Sequence, residues 1–130
     1  MSVEEAKIQE SRDAELYSLG VGFNGTEIVP ILEAQIPIVD MGFLHSDVCY
    51  DVVSVWKGSF FRLNEHMDRF ERSYQGLGFL MPYTKEEMRQ ILIDMVARAQ
   101  LKDAYVYMCA TRGLPNLDDP RDMEKYQQAF

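Results

Sequence analysis

The chain has 130 residues, with 13 basic against 21 acidic side chains and a formal net charge of −8. That length suits one domain, and an apolar fraction of 47% argues for a real core rather than disorder. The negative balance argues against a nucleic-acid partner or an anionic membrane surface, since either needs a cationic footprint, but it leaves room for a local cationic pocket. No apolar run approaches the ~20 residues that span a bilayer. The acidic N-terminus (Glu4, Glu5) has no signal-peptide core. Cys49 and Cys109 each fall inside an expected strand and read as reduced, buried thiols of a cytoplasmic protein. Neither belongs to a CxxC pair, and His45 and His66 lie far apart in sequence, so no metal site is expected.

In chain order, residues 1 to about 15 are polar with weak periodicity and read as an extended or partly helical arm. Asn24-Gly25, between Val21/Phe23 and Ile28/Val29, signals a hairpin whose type I′ turn needs positive φ at both central residues. Pro30 and Pro37 bracket a linking segment, where Ile36 and Ile38 suggest a short edge strand. A polar loop through His45-Ser46-Asp47 enters Val48–Trp56, which is dense in β-branched and aromatic residues and reads as a strand. Lys57-Gly58-Ser59 turns the chain, and Phe60 to Leu63 pairs back. Asn64 is the expected N-cap of a helix over 64–77, with Glu65 and Asp68 in its first turn. Met67, Phe70, Tyr74 and Leu77 recur at helical spacing and should face the core; Gly76 and Gly78 end the helix. Thr84-Lys85-Glu86-Glu87 is a capping box. The stripe Met88, Ile91, Leu92, Met95, Val96 and Ala99 then predicts an amphipathic helix over 84–100. Ala104 to Thr111 is a further strand, residues 113 to 123 read as loop, and the stretch from Met123 carries no stop signal. Strands, two helices, then a strand predict an α+β domain with both helices packed on a mixed sheet.

Alternation along a strand puts Val48, Tyr50, Val52, Ser54 and Trp56 on one face and Cys49, Asp51, Val53 and Val55 on the other. Tyr105, Tyr107 and Cys109 share a face of the later strand. If the two strands are neighbours, Tyr50 and Tyr105 or Tyr107 line one cavity; the plainer reading makes them strand aromatics packed under helices. His45 beside Ser46 and Asp47 suits a general base, yet no nucleophile elbow accompanies it. The plainer reading is a hydrogen-bonding loop residue. Arg69 shares a helix face with His66 and Ser73. Its planar, permanently charged fork suits a phosphate; the plainer reading pairs it with Glu65, Asp68 or Glu71 on its own helix. Arg112, at a strand end, and Arg121, in the loop, each suit a carboxylate or are merely solvated. Gly20-Val21-Gly22 is not a dinucleotide fingerprint, since no GxGxxG follows.

The run His45-Ser46-Asp47-x-x-Tyr50-Asp51-Val52-x-Ser54-Val55-Trp56 is followed by Phe61-Arg62-Leu63 and His66-x-x-Arg69. It resembles the fold-type IV pyridoxal-phosphate enzymes, and within them the (R)-selective amine transaminases. The likeness runs from about Tyr17 to about Gly113. It implies the small N-terminal domain of that fold, a pyridoxal 5′-phosphate cofactor and a homodimer. The implied reaction moves an amino group between a small-molecule (R)-amine and a 2-keto acid such as pyruvate. Branched-chain and D-amino acid aminotransferases share the layout and are the enzymatic alternative; a non-catalytic fragment or interaction module is the alternative of another class.

By position in the resembling motifs, Arg69 matches the arginine that contacts the cofactor phosphate. His45, Tyr50 and Val52 match residues lining the substrate pockets, and Tyr105 matches an aromatic of the small pocket. Tyr107 stands where relatives often carry glutamate, which changes the polarity of the pocket. Arg121 matches, across a longer loop, an arginine that takes the acceptor's carboxylate; at the equal distance this chain has Asp118. The family's Schiff-base lysine lies in a second domain, and none of Lys7, Lys57, Lys85, Lys102 or Lys125 sits in a matching context. The expected organisation is an N-terminal arm over 1–15, a small domain over 16–112 and the start of an interdomain linker over 113–130. The second domain is expected outside this sequence, on the same polypeptide or on a companion chain, and the 130 residues alone are expected to be inactive.

Overall fold

The computed structural model of the chain describes residues 1–119, 121, 122 and 126–130, and the side chains of these except 10, 11, 13 and 14. Pro120, Met123 and Lys125 lie outside the described residues.

The frame is a four-stranded antiparallel sheet in the order β4 (Ser59–Phe60), β3 (Val48–Trp56), β5 (Ala104–Leu114) and β6 (Gln127–Ala129). Its centre is β3 (Val48–Trp56), paired with β5 (Ala104–Leu114) over eight positions from Val48↔Thr111 to Val55↔Ala104. The β-branched run of β3 forms a strand with the bounds that the sequence predicts. Lys57 and Gly58, both at positive φ (50 and 78), make the tight turn into β4 (Ser59–Phe60). The α+β class holds, but every pairing among the described residues is antiparallel rather than mixed.

Two helices cover one face of this sheet. α3 (Leu63–Gly76) lays Leu63, Met67, Phe70 and Tyr74 into the core. α4 (Lys85–Ala99) begins with the expected capping box, Thr84 and Glu87 bonding each other's backbone N–H groups, and buries Met88, Leu92 and Ala99. Apart from Ala99, these side chains meet Val53, Val55, Val106, Met108 and Ala110 from the core face of β3 and β5. Each large apolar side chain so buried contributes roughly 1.5–3 kcal/mol. Asn64 is not the cap of α3. Arg62 occupies that position in left-handed conformation (φ 56) with no side-chain cap, and Asn64 Oδ1 instead accepts a bond of 2.9 Å from Arg89 Nε of α4.

Four other segments depart from expectation. The N-terminal arm is a full helix, α1 (Val3–Ser18), nucleated by a Ser2–Glu5 capping box that the weak periodicity concealed. The hairpin β1 (Val21–Phe23) to β2 (Ile28–Pro30) forms, but with a four-residue loop rather than a type I′ turn. Only Gly25 takes positive φ there; Asn24 Oδ1 accepts from the Thr26 and Glu27 backbone N–H groups. Ile36 to Val39 makes no edge strand and is exposed; a 3₁₀ turn (Ile31–Glu33) precedes it. The polar loop before β3 contains a short helix, α2 (Met41–His45).

The last described stretch forms β6 (Gln127–Ala129), which pairs with the end of β5 across a bulge between Thr111 and Leu114. Gly113 makes that bulge possible. It sits at φ +78, and a Cβ there would lie 1.4 Å from the Gln127 carbonyl oxygen.

Candidate functional site

The two faces of β3 and β5 differ sharply. The face opposite the helices carries Tyr50, Val52, Ser54 and Trp56 from β3 and Tyr105, Tyr107 and Cys109 from β5. Register places Tyr50 opposite Cys109, Val52 opposite Tyr107 and Ser54 opposite Tyr105. Tyr50 and Tyr107 are diagonal neighbours, and their rings stack with centroids 5.0 Å apart and planes 12° from parallel. The strands are thus neighbours, and Tyr50, Val52, Tyr105 and Tyr107 come together. The plainer reading of these tyrosines, packed under helices, is overturned: Tyr50 and Tyr107 are about 60% exposed and Tyr105 is 82% exposed. Partial burial, with Cys109 and Tyr50 nearby, raises the Tyr107 phenol above its ordinary pKa. Burial chiefly lifts the Cys109 thiol to about 11, so it is protonated at neutral pH. Burial likewise raises Cys49. Both thiols are free and half-buried rather than fully buried.

A second cluster lies on the helix side of the same strand. Asp51 points into the core face and is almost fully buried. Arg69 of α3 donates to it twice, from Nε to Oδ2 at 2.6 Å and from Nη2 to Oδ1 at 2.9 Å. His66, one turn earlier, places Nδ1 at 2.7 Å from Oδ1. The Arg69 guanidinium first of all, and His66 after it, hold the Asp51 carboxyl down at about 2 against the opposing effect of burial. It is therefore ionised and accepts only, so His66 Nδ1 carries the hydrogen. Arg69 finds its acid on the sheet, not among Glu65, Asp68 and Glu71 of its own helix. Arg62 bonds Glu65, and Lys85 bonds Asp68 and Glu71.

Asp51 is the residue that reasoning about Arg69 missed. Its signal was visible: one carboxylate in an otherwise apolar strand face, Cys49, Val53 and Val55. Such a group must find partners.

No hydrogen bond or ring contact among the described residues joins His45, Arg112 or Arg121 to either cluster. His45 is the exposed last residue of α2, where Ser46 in left-handed conformation (φ 56) closes the helix. Asp40 caps the start of α2 and accepts from the buried Thr111 hydroxyl at 2.9 Å, which ties α2 to β5. Arg112 is committed to the scaffold. It donates to Asp47 Oδ2 at 2.8 Å and to the Leu77 carbonyl at 3.0 Å, and it lies 4.5 Å from the Phe79 ring centroid. Arg121 is exposed, with its backbone N–H donating to Asp119.

A cavity of about 660 Å³ opens between the hairpin, α4 and β5; Tyr105 and Tyr107 touch it, whereas Tyr50, His45 and Arg69 do not. Most of its other walls, among them Leu92, Val96 and Phe130, are apolar, and Asn24, Asp40, Asp103 and Thr111 add polar lining. The exposed aromatic groups lie on the open sheet face, and the Asp51–His66–Arg69 cluster lies on the helix side. Among the described residues no helix is long and apolar enough to cross a membrane, and no three metal-ligating side chains cluster.

A family model for amino-transferase class IV matches residues 48–127, more than half of the chain. The chain belongs to the class IV amino-transferase family. The D-alanine aminotransferase of Listeria monocytogenes serotype 1/2a (strain 10403S) is 38% identical over 84 residues, 65% of this chain and 29% of that protein. A putative branched-chain-amino-acid aminotransferase of Methanocaldococcus jannaschii is 34% identical over 94 residues, 72% of this chain and 33% of that one. The branched-chain aminotransferase of Thermoproteus uzoniensis, solved with norvaline, superposes with a TM-score of 0.70 at 25% identity, covering 84% of this chain and 37% of that chain. The T.th. branched-chain amino acid aminotransferase complexed with N-(5′-phosphopyridoxyl)-L-glutamate shares the fold, with a TM-score of 0.72 at 20% identity over 84% of this chain and 38% of that one. The chain therefore spans about a third of the length of the curated relatives it matches.

Class IV aminotransferases depend on pyridoxal phosphate. The residues present fit the phosphate end of that cofactor. The Arg69 side chain is 61% exposed and held by a buried carboxylate along one edge only. Lys85 is bonded to two carboxylates, Lys7 is exposed on α1, and Lys102 is exposed in the turn before β5. Lys57 sits over the Trp56 ring, beyond the far end of β3 and roughly 20 Å of strand from Tyr50.

Proposed function

We propose that the protein of which these residues are a part is a pyridoxal-phosphate transaminase acting between an (R)-amine and a 2-keto acid such as pyruvate. The carrying observation is the open sheet face itself. Tyr50, Val52, Tyr105 and Tyr107 present an aromatic and apolar surface without a charged side chain, which suits an aryl or alkyl substituent better than a second carboxylate. When bound, the cofactor supplies an electron sink for the charge left on the substrate carbon. The chain's own residues bind and orient: Arg69 takes the phosphate, while His45, Tyr50, Val52, Tyr105 and Tyr107 shape the space for the amine. Arg121 takes the acceptor's carboxylate, because Arg112 is already bonded to Asp47, Leu77 and Phe79. The exposed aromatic face also supports a homodimer or a second domain that covers it.

The second reading is a D-alanine aminotransferase, favoured by the 38% identity to proteins of that name. D-Alanine has the (R) configuration, so the two readings share a hand and differ in one substituent, an apolar group against a carboxylate. The test assays the protein as its gene encodes it. Both enantiomers of a small aryl-alkyl amine are supplied with pyruvate; D-alanine and leucine are supplied with 2-ketoglutarate. Turnover of the (R)-amine alone supports the proposal. Turnover of D-alanine or leucine without the (R)-amine replaces it with the corresponding amino-acid reading. No turnover of any supports a non-catalytic module.

A further inference from the structure

We infer that Asp51 is a positioning residue, which sets the direction of the Arg69 fork toward a phosphate from the helix side of the same strand that presents Tyr50 and Val52 on its open face. The inference rests on the reading of Arg69 as the phosphate contact.

Arginine has five N–H donors in a fixed plane. Nε and one Nη2 hydrogen are spent on Asp51, at 2.6 and 2.9 Å. Nη1 makes no hydrogen bond among the described residues, and the side chain is 61% exposed. A helix-surface arginine without an anchor samples many rotamers, and ordering it costs up to ~2 kcal/mol. Here the fold has already ordered it.

The anchor is itself fixed. Asp51 is 4% exposed at its side chain. Its Oδ1 also accepts from His66 Nδ1 at 2.7 Å and from the Val52 backbone N–H at 2.8 Å. Four donors thus hold one carboxylate in one orientation, and that orientation dictates the plane of the guanidinium. Charge alone would argue against such a pairing, because Asp51 offsets part of the attraction of Arg69 for an anion. What the pair supplies is direction, which matters for a ligand recognised by a planar fork. Tyr50 and Val52 flank Asp51 in β3 and point to the other face. One strand therefore fixes the phosphate contact and the substrate surface relative to each other.

The test uses the protein as its gene encodes it, with pyridoxal 5′-phosphate and phosphate-free pyridoxal as probes, and urea unfolding to separate stability from binding. Asp51→Asn keeps the shape but loses the charge and one acceptor. Arg69→Lys keeps the charge but loses the fork. Each is expected to weaken pyridoxal 5′-phosphate binding roughly ten- to a hundredfold. Each leaves pyridoxal binding unchanged, and the double variant is no worse than either single one. Asp51→Glu, which keeps the charge and both acceptors, recovers part of the loss. Equal losses for both probes in Asp51→Asn would assign Asp51 to the scaffold and overturn the inference. So would intact pyridoxal 5′-phosphate binding in Asp51→Asn when Arg69→Ala is impaired. If Arg69→Ala leaves the ratio of the two affinities unchanged, Arg69 is not the phosphate contact and the underlying reading goes with it. Should Asp51→Asn fail to fold, Arg69→Lys decides at an exposed position, and affinity equal to wild type there overturns the inference.

Discussion

The two faces of the β3–β5 ladder are built from alternate residues of the same strands and do opposite things. The helix-side face, with Val53, Val55, Val106 and Met108, is closed by α3 and α4 and holds the fold together. The other face, with Tyr50, Tyr105 and Tyr107, is left open and is covered by nothing described. A strand with period two can serve stability and recognition at once, because neighbouring side chains never compete for the same space. The exception teaches most. Asp51 sits on the stability side, yet its bonds run to Arg69, the cation assigned to recognition. The division between the faces is therefore by direction, not by purpose.

That contrast can be broken experimentally, and the largest effect is expected on the closed side. Phe70 is fully buried, with its ring edge-on to Tyr74 at 5.3 Å and 6.0 Å from Phe130. Phe70→Ala should cost about 3–5 kcal/mol in urea unfolding. A cost comparable to Tyr105→Ala would mean that the core does not lie where we place it.

Next in size is Asp51→Asn, which also has a pH signature. The Asp51 carboxyl is held at about 2, below its ordinary value of 3.8. A depressed folded pKa contributes stability that is complete above the unfolded value and is lost as pH falls through the folded one. The contribution is about 2 kcal/mol. The stability gap between wild type and Asp51→Asn should hold from neutrality to about pH 4 and shrink toward pH 2. A gap that does not narrow over that range would show that Asp51 is not the charged anchor.

Smaller again is Arg112→Ala, which removes a bond to Asp47, one to the Leu77 carbonyl and a contact with the Phe79 ring. A loss of about 1–2 kcal/mol is expected from chemical denaturation, with little change in affinity for a keto acid. A marked rise in KM for the keto acid at unchanged stability would move the carboxylate contact from Arg121 to Arg112.

Much of this was legible in the sequence. The β3 bounds, the Thr84–Glu87 capping box and the apolar stripe of α4 are local signals, and the structure keeps them. The open face of β3 followed from alternation, and the stack of Tyr50 on Tyr107 needed only the pairing of β3 with β5. What could not be read depends on contacts distant in sequence. Arg69 meets Asp51 across 18 residues, and Asp40 meets Thr111 across 71. β6 exists because Gly113 lets a second strand approach the end of β5, which local propensity does not report. Asn64 misled because an Asn before an acidic first turn suits a cap, yet α4 lies close enough for Arg89 to claim its side chain. α1 was hidden by the weak apolar periodicity of its sequence.

The smallest expected effect on stability falls on the open face and carries the sharpest test of specificity. Tyr107 is 58% exposed and stacks on Tyr50. Tyr107→Glu should change the unfolding free energy by no more than about 0.5 kcal/mol, as exposed substitutions usually do. It removes the stacking partner of Tyr50 and sets a carboxylate opposite Val52. An aryl substituent approaching that face would lose an aromatic contact and meet a charge that must be desolvated. The ratio of kcat/KM for an (R)-aryl-alkyl amine over that for D-alanine should therefore fall by roughly tenfold, equivalent to about 1.4 kcal/mol. The loss should appear with Tyr50→Ala as well, since one ring of the stack orders the other. If both variants turn over the amine as well as wild type does, the stacked pair is not the surface on which the amine rests, and the open face owes its aromatics to whatever packs against it in the assembled protein.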